Sequence, residues 1–196
     1  MIFRIRDIIL ASIGLLTLAP IFMLIMLGLW LSQGKVFFLQ ARPGLYEKIF
    51  TLIKFSTMRD AAPGEDEAAR QRERITPLGA VLRRYSLDEL PQLINVIRGE
   101  MSLVGPRPLL VNYLSLYTIE EKKRHHVKPG ITGWAQIHGR NELSFKQRFA
   151  YDLWYVEHRS FWLDAKILFR TLAKVLRSEG VYASEVSTSP RYNGKN

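Results

Sequence analysis

The first clear pattern along the chain is a long apolar segment near its start. Residues 8–34 carry no charged side chain and are rich in Leu and Ile. Because about 20 apolar residues are enough to cross a bilayer, the segment predicts a membrane-inserted helix. A cleaved signal peptide and a buried soluble helix are the alternatives. The length disfavours both, and the segment lacks a clear small-x-small cleavage site.

The middle and the flanks of this segment bear on how it enters the membrane. Pro20 cannot donate a backbone hydrogen bond, so we expect the helix to bend there. Arg4 and Arg6 precede the segment, and Lys35 and Arg42 follow it. Basic residues on both flanks give no orientation by the positive-inside rule, as expected if both ends stay on the cytoplasmic side. Since prolines also occur in spanning helices, spanning and re-entrant helices both stay open.

After this segment the pattern predicts one β-hairpin. The runs 36–40 and 49–55 are typical of short strands, and Pro43-Gly44 is a turn signal between them. Residues 60–74 have many charges and few apolar anchors, so we expect an exposed loop or a frayed helix there. Residues 128–133 read as a loop whose glycines allow the backbone to approach a ligand closely.

The rest of the chain is predicted to be helical. Thr76 and Pro77 have the side chains of an N-cap and a first helical residue, and that helix should end near Arg84. Further helices are expected at 91–98, 110–124, 144–158 and 161–178.

The last of these helices carries a basic stripe. Lys166, Arg170, Lys174 and Arg177 are spaced to share one side of it, while leucines and Phe161 lie elsewhere on its surface. Such a helix can lie on an anionic membrane. The alternative is an ordinary solvated face above a core.

The composition of the chain limits the kinds of molecule that it can be expected to bind. The chain has 196 residues, enough for one domain with a sizeable core, and 28 Lys+Arg against 18 Asp+Glu give a net charge of +10. This charge favours nucleic acid, anionic lipid or phosphorylated substrates as partners. Nucleic acid is disfavoured by the apolar segment and by the lack of a recognisable binding module. With no cysteine, disulfides and thiolate metal sites are excluded, and the four histidines form no helical i, i+4 metal-ligand pair.

The strongest candidate for chemistry is the acidic pair Asp88-Glu89, which stands in an otherwise basic stretch. An opposite charge within a few ångströms lowers a carboxyl pKa by roughly 1–3 units, so we expect the pair to be ionised. An ionised carboxylate can act as a nucleophile or hold a metal ion. Arginines close by can bind a phosphate-bearing substrate in a bidentate way.

A structural explanation of the pair competes with this one. Ser86 and Glu89 have the spacing of a capping box, in which acidic residues favour the first helical turn. Pro91 would then fall inside that helix and remove a hydrogen bond, whereas a helix beginning near Pro91 avoids the conflict. The surrounding arginines favour a phosphate cradle because all of them lie near Pro or Gly. They are Arg83, Arg84, Arg107 and Arg140.

Several long motifs resemble the bacterial sugar transferase family, the monotopic phosphoglycosyl transferases, over nearly the whole chain. They are the apolar segment with Pro20 and residues 37–44 (FFLQARPG), 54–58 (KFSTM), 83–92 (RRYSLDELPQ), 101–108 (MSLVGPRP), 128–136 (KPGITGWAQ) and 139–141 (GRN). The resemblance implies transfer of a sugar phosphate from a UDP-sugar to a polyprenol (undecaprenyl) phosphate, with release of UMP. It also implies a re-entrant helix in the bacterial inner membrane, with the catalytic domain on its cytoplasmic face.

The resemblance assigns roles to particular residues. Asp88 matches the family nucleophile, which forms a phosphosugar-aspartyl intermediate, and Glu89 matches its partner in the dyad. Both are expected to hold Mg²⁺, chiefly Glu89. The residues expected to bind substrate or phosphate are Lys54, Arg83, Arg107, Gln136 and Arg140. Asp152 and Tyr155 are expected to support the site from behind.

The expected fold is mainly α with a small β-hairpin (α+β). Its three parts would be a membrane helix broken near Pro20 (1–34), a cytoplasmic catalytic domain (35–181) and a polar tail (182–196). Two positions depart from the family pattern: Ser56 replaces a frequent basic residue, and His138 replaces an Asn. The remaining rival is a non-enzymatic adaptor that binds an anionic bilayer. The sugar and a homo-oligomeric state stay open.

Overall fold

The computed structural model describes residues 2–60, 73–139, 143–177 and 192–194. The apolar segment forms two helices, α1 (Ile2–Thr17) and α2 (Ala19–Gln33), bent by 63° at Leu18. Pro20 lies in the first turn of α2, where its missing N–H has no helical partner to lose. Within the described ranges no helix is by itself long and apolar enough to cross a bilayer, but this bent pair is, judged by length and composition.

The predicted hairpin is confirmed. Strands β1 (Phe37–Pro43) and β2 (Ile49–Phe55) pair antiparallel, with Phe37 opposite Phe55 and Pro43 opposite Ile49. The Phe37 and Phe55 rings stack at 5.7 Å, and Phe22 of α2 packs on Phe55 at 4.8 Å. These rings attach α2 to the hairpin.

The helix predicted from Thr76 is also confirmed. The Thr76 hydroxyl accepts a hydrogen bond from the Gly79 backbone, and α3 spans Pro77–Arg84. Helix α4 (Gln92–Arg98) begins just after Pro91, and a single 3₁₀ turn (Leu87–Glu89) precedes it. Ser86 has a φ of +53°, whereas a capping residue has extended backbone. The capping-box explanation of the acidic pair is therefore wrong.

A small parallel sheet was not predicted. Strand β3 (Ser102–Val104) pairs with β4 (Gly130–Thr132) inside the segment expected to be a loop. A Cβ atom on Gly130 would lie 2.1 Å from the backbone nitrogen of Gly105, so only glycine fits there. The close approach expected for this glycine is thus to the neighbouring backbone and not to a ligand.

The single helix predicted over 110–124 is wrong. This stretch contains a 3₁₀ turn (Val111–Tyr113), the short helix α5 (Ile119–Lys122) and a second 3₁₀ turn (Lys123–His126). Thr118 is the N-cap of α5 and forms a capping box with Glu121, so α5 begins as a separate helix. Upstream of it, Tyr113 and Tyr117 turn into an aromatic cluster that includes Phe149 and Tyr192. Burial of these rings outweighs the local helical pattern.

Three more helices complete the fold: α6 (Trp134–His138), α7 (Phe145–His158) and α8 (Phe161–Arg177). The predictions of α7 and α8 are confirmed, while α6 was not predicted. The main core contains Val96, Met101, Val104 and Ile167, all fully buried, so it lies among α4, β3 and α8. The chain is thus mostly helical with small sheets, as expected.

A buried polar network joins α1 to this core. Asp7 accepts a 2.5 Å hydrogen bond from the Ser102 hydroxyl, and Arg6 forms a 2.7 Å salt bridge with Asp164 of α8. Tyr155 donates to the same Asp164 at 2.7 Å. Arg4 donates to the carbonyls of the last turn of α4, Val96 and Ile97. The start of α1 is therefore bonded directly to α4, β3 and α8.

Candidate active site

The acidic pair lies on the 3₁₀ turn between α3 and α4. The positive φ of Ser86 costs of the order of 1–3 kcal/mol in a residue with a side chain, and such strain concentrates at functional sites. The Glu89 backbone N–H closes the turn on the Ser86 carbonyl at 3.2 Å. This local backbone holds Asp88 and Glu89 in fixed positions just before the first turn of α4.

Glu89 is buried and held by two cations. Its Oε1 lies 2.8 Å from the Lys54 ammonium and 2.5 Å from Nη2 of Arg107, whose Nη1 lies 3.3 Å from Oε2. Burial alone would raise the pKa of Glu89. The charges and hydrogen bonds of Arg107 and Lys54 outweigh burial and hold that pKa below its usual range, so Glu89 is ionised as predicted.

Asp88 behaves differently from its neighbour. It is half-buried and lines the cavity above the turn. Burial, followed by the negative charge of Glu89, raises the pKa of Asp88, and the cations Lys54, Arg83 and Arg107 offset only part of this. The expected lowering of both carboxyl pKa values is thus wrong for Asp88. A carboxylate with a raised pKa is the more basic member of the pair.

The cavity above the dyad has a volume of about 370 Å³ and is strongly cationic. Lys54, Arg83 and Arg107, three of the residues expected to bind substrate or phosphate, line it, and Arg83 donates a 2.8 Å hydrogen bond to the Thr57 hydroxyl. Arg42 and Arg148 line it too. Burial and the charge of Arg107 lower the pKa of Arg42 to about 10. Such crowding of cations around two carboxylates favours a polyanionic ligand.

Lys35 and Arg74 also line the cavity, and Arg42 and Arg148 were missed for different reasons. Arg42 lies in the 37–44 motif, which could have indicated a role in the site. From the sequence it is interpreted only as a basic residue that follows the apolar segment. Arg148 is one of several cations on α7, and its position gives no signal in the sequence. Arg148 reaches the cavity only because α7 packs against α6, the helix that carries Gln136.

Gln136 joins the site from the short helix α6. It lines the cavity, and neither atom of its buried side-chain amide has a hydrogen-bond partner among the described residues. A buried amide without partners costs roughly 1–3 kcal/mol, which a ligand can recover. The Gln136 amide therefore keeps its hydrogen-bonding capacity for a ligand, and its role in substrate binding stays a prediction. Arg140 lies outside the described residues.

Asp152 supports the cavity through an intermediate residue. Its Oδ2 accepts a 2.6 Å hydrogen bond from Arg124, and both side chains are almost fully buried. Arg124 in turn donates to the backbone carbonyl of Arg107 at 2.8 Å. Tyr155 is farther from the dyad along the chain of contacts: its hydroxyl bonds Asp164 and lies 3.2 Å from the Val104 carbonyl.

The described ranges contain no group of three or more His, Asp or Glu side chains placed to hold a metal ion. This does not conflict with magnesium, which is usually bound by one or two carboxylates plus substrate phosphates and water. Asp88 and Glu89 supply two carboxylates beside a cationic cavity. The donor set fits a magnesium ion that arrives with a phosphorylated substrate.

An acidic pair beneath a cationic cavity can bind a phosphorylated ligand. The comparisons with known proteins define the class further. The sequence model of the family described as "Bacterial sugar transferase" matches residues 1–178. The chain belongs to this family, and it is a transferase.

Relatives of the chain differ in length and in what is known of them. It is 52% identical to "Uncharacterized sugar transferase EpsL" of Bacillus subtilis. The alignment of 161 residues covers 82% of this chain and 80% of the relative. It is 41% identical to "Exopolysaccharide production protein ExoY" of Rhizobium meliloti, over 90% of this chain and 86% of the relative. Identity to "UDP-glucose:undecaprenyl-phosphate glucose-1-phosphate transferase" of Xanthomonas campestris is 43%, over 90% of this chain but 39% of the relative.

Proposed function

We propose that this protein transfers a sugar phosphate from a UDP-sugar to a polyprenol phosphate and releases UMP, as the first membrane step of glycoconjugate synthesis. The observation that carries the proposal is the strained turn that places Asp88 and Glu89 at the floor of a cationic cavity. Relatives named UDP-glucose:undecaprenyl-phosphate glucose-1-phosphate transferases support the substrates. UDP-glucose is accordingly the first donor to test.

The reaction would proceed in two displacements at one phosphorus atom. The Asp88 carboxylate attacks the β-phosphorus of the UDP-sugar, the bond to the bridging oxygen breaks, and UMP leaves with the electron pair. A phosphate oxygen of the polyprenol phosphate then attacks the same phosphorus and expels the Asp88 carboxylate. Splitting one difficult displacement into two easier ones is the advantage of covalent catalysis.

The neighbouring residues divide the remaining tasks. Glu89, kept ionised by Lys54 and Arg107, gives the floor a fixed negative charge beside Asp88. Arg107 and Arg83 line the cavity in which phosphate charge would develop, and preorganised donors of this kind stabilise such charge strongly. The unpartnered amide of Gln136 supplies a further neutral donor.

Magnesium is the proposed cofactor, with Asp88 and Glu89 as its protein ligands. When bound, it would neutralise the diphosphate and the departing UMP. Oε2 of Glu89, which has only a long 3.3 Å contact with Arg107, keeps acceptor capacity for it.

We also propose that the α1–α2 pair is re-entrant and that the enzyme lies on the cytoplasmic face of the bacterial inner membrane. At the start of the pair, Asp7 bonds Ser102. At its end, the Gln33 amide donates to the Ser56 carbonyl at 2.7 Å. Both ends are thus bonded to one domain, whereas a spanning pair would leave them on opposite sides of the bilayer. The 63° bend supports the same topology.

Helix α8 supports an interfacial position. Trp162, Phe169 and Leu172 are 80%, 75% and 59% exposed, while Lys174 of the basic stripe turns inward to the Ile137 carbonyl at 2.8 Å. The exposed side of α8 is therefore more apolar than a solvated face requires. Large aromatic side chains at this density are typical of helices that lie in the headgroup region.

The decisive experiment measures UMP release and enzyme mass separately. Purified protein in detergent or nanodiscs is mixed with UDP-glucose, other UDP-sugars, undecaprenyl phosphate and Mg²⁺. We expect UMP and a sugar-phosphate adduct without acceptor, and sustained UMP release with it. Asp88→Asn should abolish both but keep membrane association, while Glu120→Gln, an exposed carboxylate on α5, should keep both.

Each alternative predicts a different result. A membrane adaptor predicts no UMP with any donor and no effect of Asp88→Asn on its binding to anionic vesicles. Transfer that requires donor and acceptor together, with no adduct on the enzyme, would leave the transferase assignment in place and overturn the covalent intermediate. Unchanged activity without magnesium would overturn the proposed cofactor.

A further inference from the structure

A second cavity of about 430 Å³ lies on the other side of the acidic turn. Leucine, isoleucine and valine side chains dominate its wall. They are Leu18, Leu87, Leu90, Leu93, Ile131, Ile137, Leu172 and Val175. Glu89, Arg107 and Gln136 line both this apolar cavity and the cationic one. The two cavities therefore meet at the dyad and are separated by these three side chains.

The apolar cavity lies against the parts of the fold that face lipid in the proposed topology. Leu18 is the residue at which the α1–α2 pair bends, and Leu172 and Val175 belong to α8. Leu172 is 59% exposed, so the wall of the cavity continues into the exposed apolar side of that helix. A hydrocarbon chain could enter from this side without crossing the polar surface.

Charged side chains occupy only a few positions in the wall of this cavity. Arg107 and Gln136 stand where it meets the dyad, and Arg84 and Lys174 also line it. Lys174 is anchored to the Ile137 carbonyl. An apolar chamber with cations in its wall and an unpartnered amide at its inner end is complementary to an amphiphile that carries one phosphate at the end of a hydrocarbon chain. A nucleotide, by contrast, needs polar partners along its whole length.

We propose that the apolar cavity binds the first isoprene units of the polyprenol phosphate, with the phosphate placed against Arg107 and Gln136. This inference rests on the proposed function and adds the acceptor subsite to it. The hydrocarbon chain of the acceptor then has a cavity of its own, while its phosphate approaches the phosphorus from the side that UMP has left, because an in-line displacement requires attack opposite the Asp88 oxygen. Residues of α8 set the affinity for the acceptor alone.

The first test fills the apolar cavity and leaves the cationic cavity intact. In Val175→Trp the indole would occupy the space of the isoprene chain, and Phe169→Trp places the same side chain on the exposed side of α8 as a control. UMP release and adduct formation without acceptor should stay within about twofold of wild type in both. For Val175→Trp alone, the KM for undecaprenyl phosphate should rise at least about tenfold, equivalent to about 1.4 kcal/mol.

A second pair of variants separates acceptor binding from membrane binding. Leu172→Glu and Phe169→Glu both add a carboxylate to the exposed side of α8, so a weaker hold on the bilayer affects them alike. Only Leu172 lines the cavity. Leu172→Glu should therefore lose transfer to the lipid more strongly than Phe169→Glu. Because both positions are exposed, neither change should prevent folding.

A binding measurement tests the subsite without turnover. A photoreactive isoprenyl phosphate, incorporated in nanodiscs, should label residues of α4 and α8 around the apolar cavity in wild type, and labelling should fall in Val175→Trp. Labelling elsewhere, or a wild-type KM in both Val175→Trp and Leu172→Glu, would overturn the acceptor subsite. Absence of UMP and adduct in wild type would instead overturn the proposed function, while the labelling pattern would still decide where the lipid binds.

Discussion

The buried guanidinium of Arg124 donates a 2.8 Å hydrogen bond to the backbone carbonyl of Arg107 and also donates to the Asp152 carboxylate. Arg107 in turn donates hydrogen bonds from both of its terminal nitrogens to the Glu89 carboxylate. A salt bridge deep inside the domain thus fixes the backbone of the residue that holds the acidic pair. This connection explains how Asp152, which does not line the cavity, can matter for activity.

Removing one partner of that buried salt bridge should unfold the protein more easily. Asp152→Asn leaves the Arg124 charge uncompensated, so we expect a loss of about 3–5 kcal/mol in the free energy of unfolding. Urea denaturation in a mild detergent measures it. Glu120→Gln, which breaks only an exposed pair with Lys123, should cost less than about 1 kcal/mol. Equal midpoints for the two variants would contradict the prediction.

The geometry of Arg107 should matter as well as its charge. Arg107→Lys keeps the positive charge but loses the two-pronged contact with Glu89 and with a bound phosphate. A lost hydrogen bond to a charged group is worth about 1.5–3 kcal/mol, so kcat/KM for the UDP-sugar should fall about tenfold to a hundredfold. The rate of UMP release is the readout. Wild-type kinetics with lysine would show that charge alone suffices.

The pH dependence of adduct formation should report Asp88. The nucleophile works ionised, and its folded pKa is raised by burial and Glu89, so activity should be lost on acidification at a higher pH than for an ordinary Asp at about 3.9. Arg83→Gln removes a charge that favours the carboxylate, which raises the pKa further and moves the acid limb to higher pH. Arg84→Gln is the control, since Arg84 lines the apolar cavity instead. A shift to lower pH in Arg83→Gln would contradict this assignment.

At Gly130, where β4 lies closest to the chain after β3, the packing should tolerate no side chain. In Gly130→Ala the new methyl would lie 2.1 Å from the Gly105 nitrogen and 2.4 Å from the Thr132 oxygen, both backbone atoms that cannot rotate away. We expect a loss of at least about 1–3 kcal/mol and a lower Tm. Gly14→Ala meets only a flexible Leu93 methyl at 3.5 Å, so it should leave the Tm unchanged or higher. Similar Tm values for the two would contradict the close packing.

Local signals explain which elements the sequence could predict. Turn residues and helix caps, which act over only a few positions, indicate the hairpin, α3 and α7 in the sequence. Two examples are the hydroxyls of Thr76 and Ser144, which accept hydrogen bonds from the backbone N–H groups of Gly79 and Gln147. The segment 110–124 has helical composition throughout but breaks because Tyr113 and Tyr117 are drawn into the aromatic cluster. The β3–β4 pairing joins strands far apart in the chain, and no local pattern indicates such a contact.

The candidate site divides in the same way. The sequence by itself determined the chemical groups: two adjacent carboxylates, the cations of the surrounding motifs and a long apolar segment. Only the tertiary structure decided that Lys54 and Arg107 form salt bridges with Glu89, that Arg148 joins the cavity, and that an apolar chamber lies behind it. The physical reason is that charge type and hydrophobicity belong to each residue, whereas burial and distance, which set the two pKa values apart, arise only when distant segments pack together.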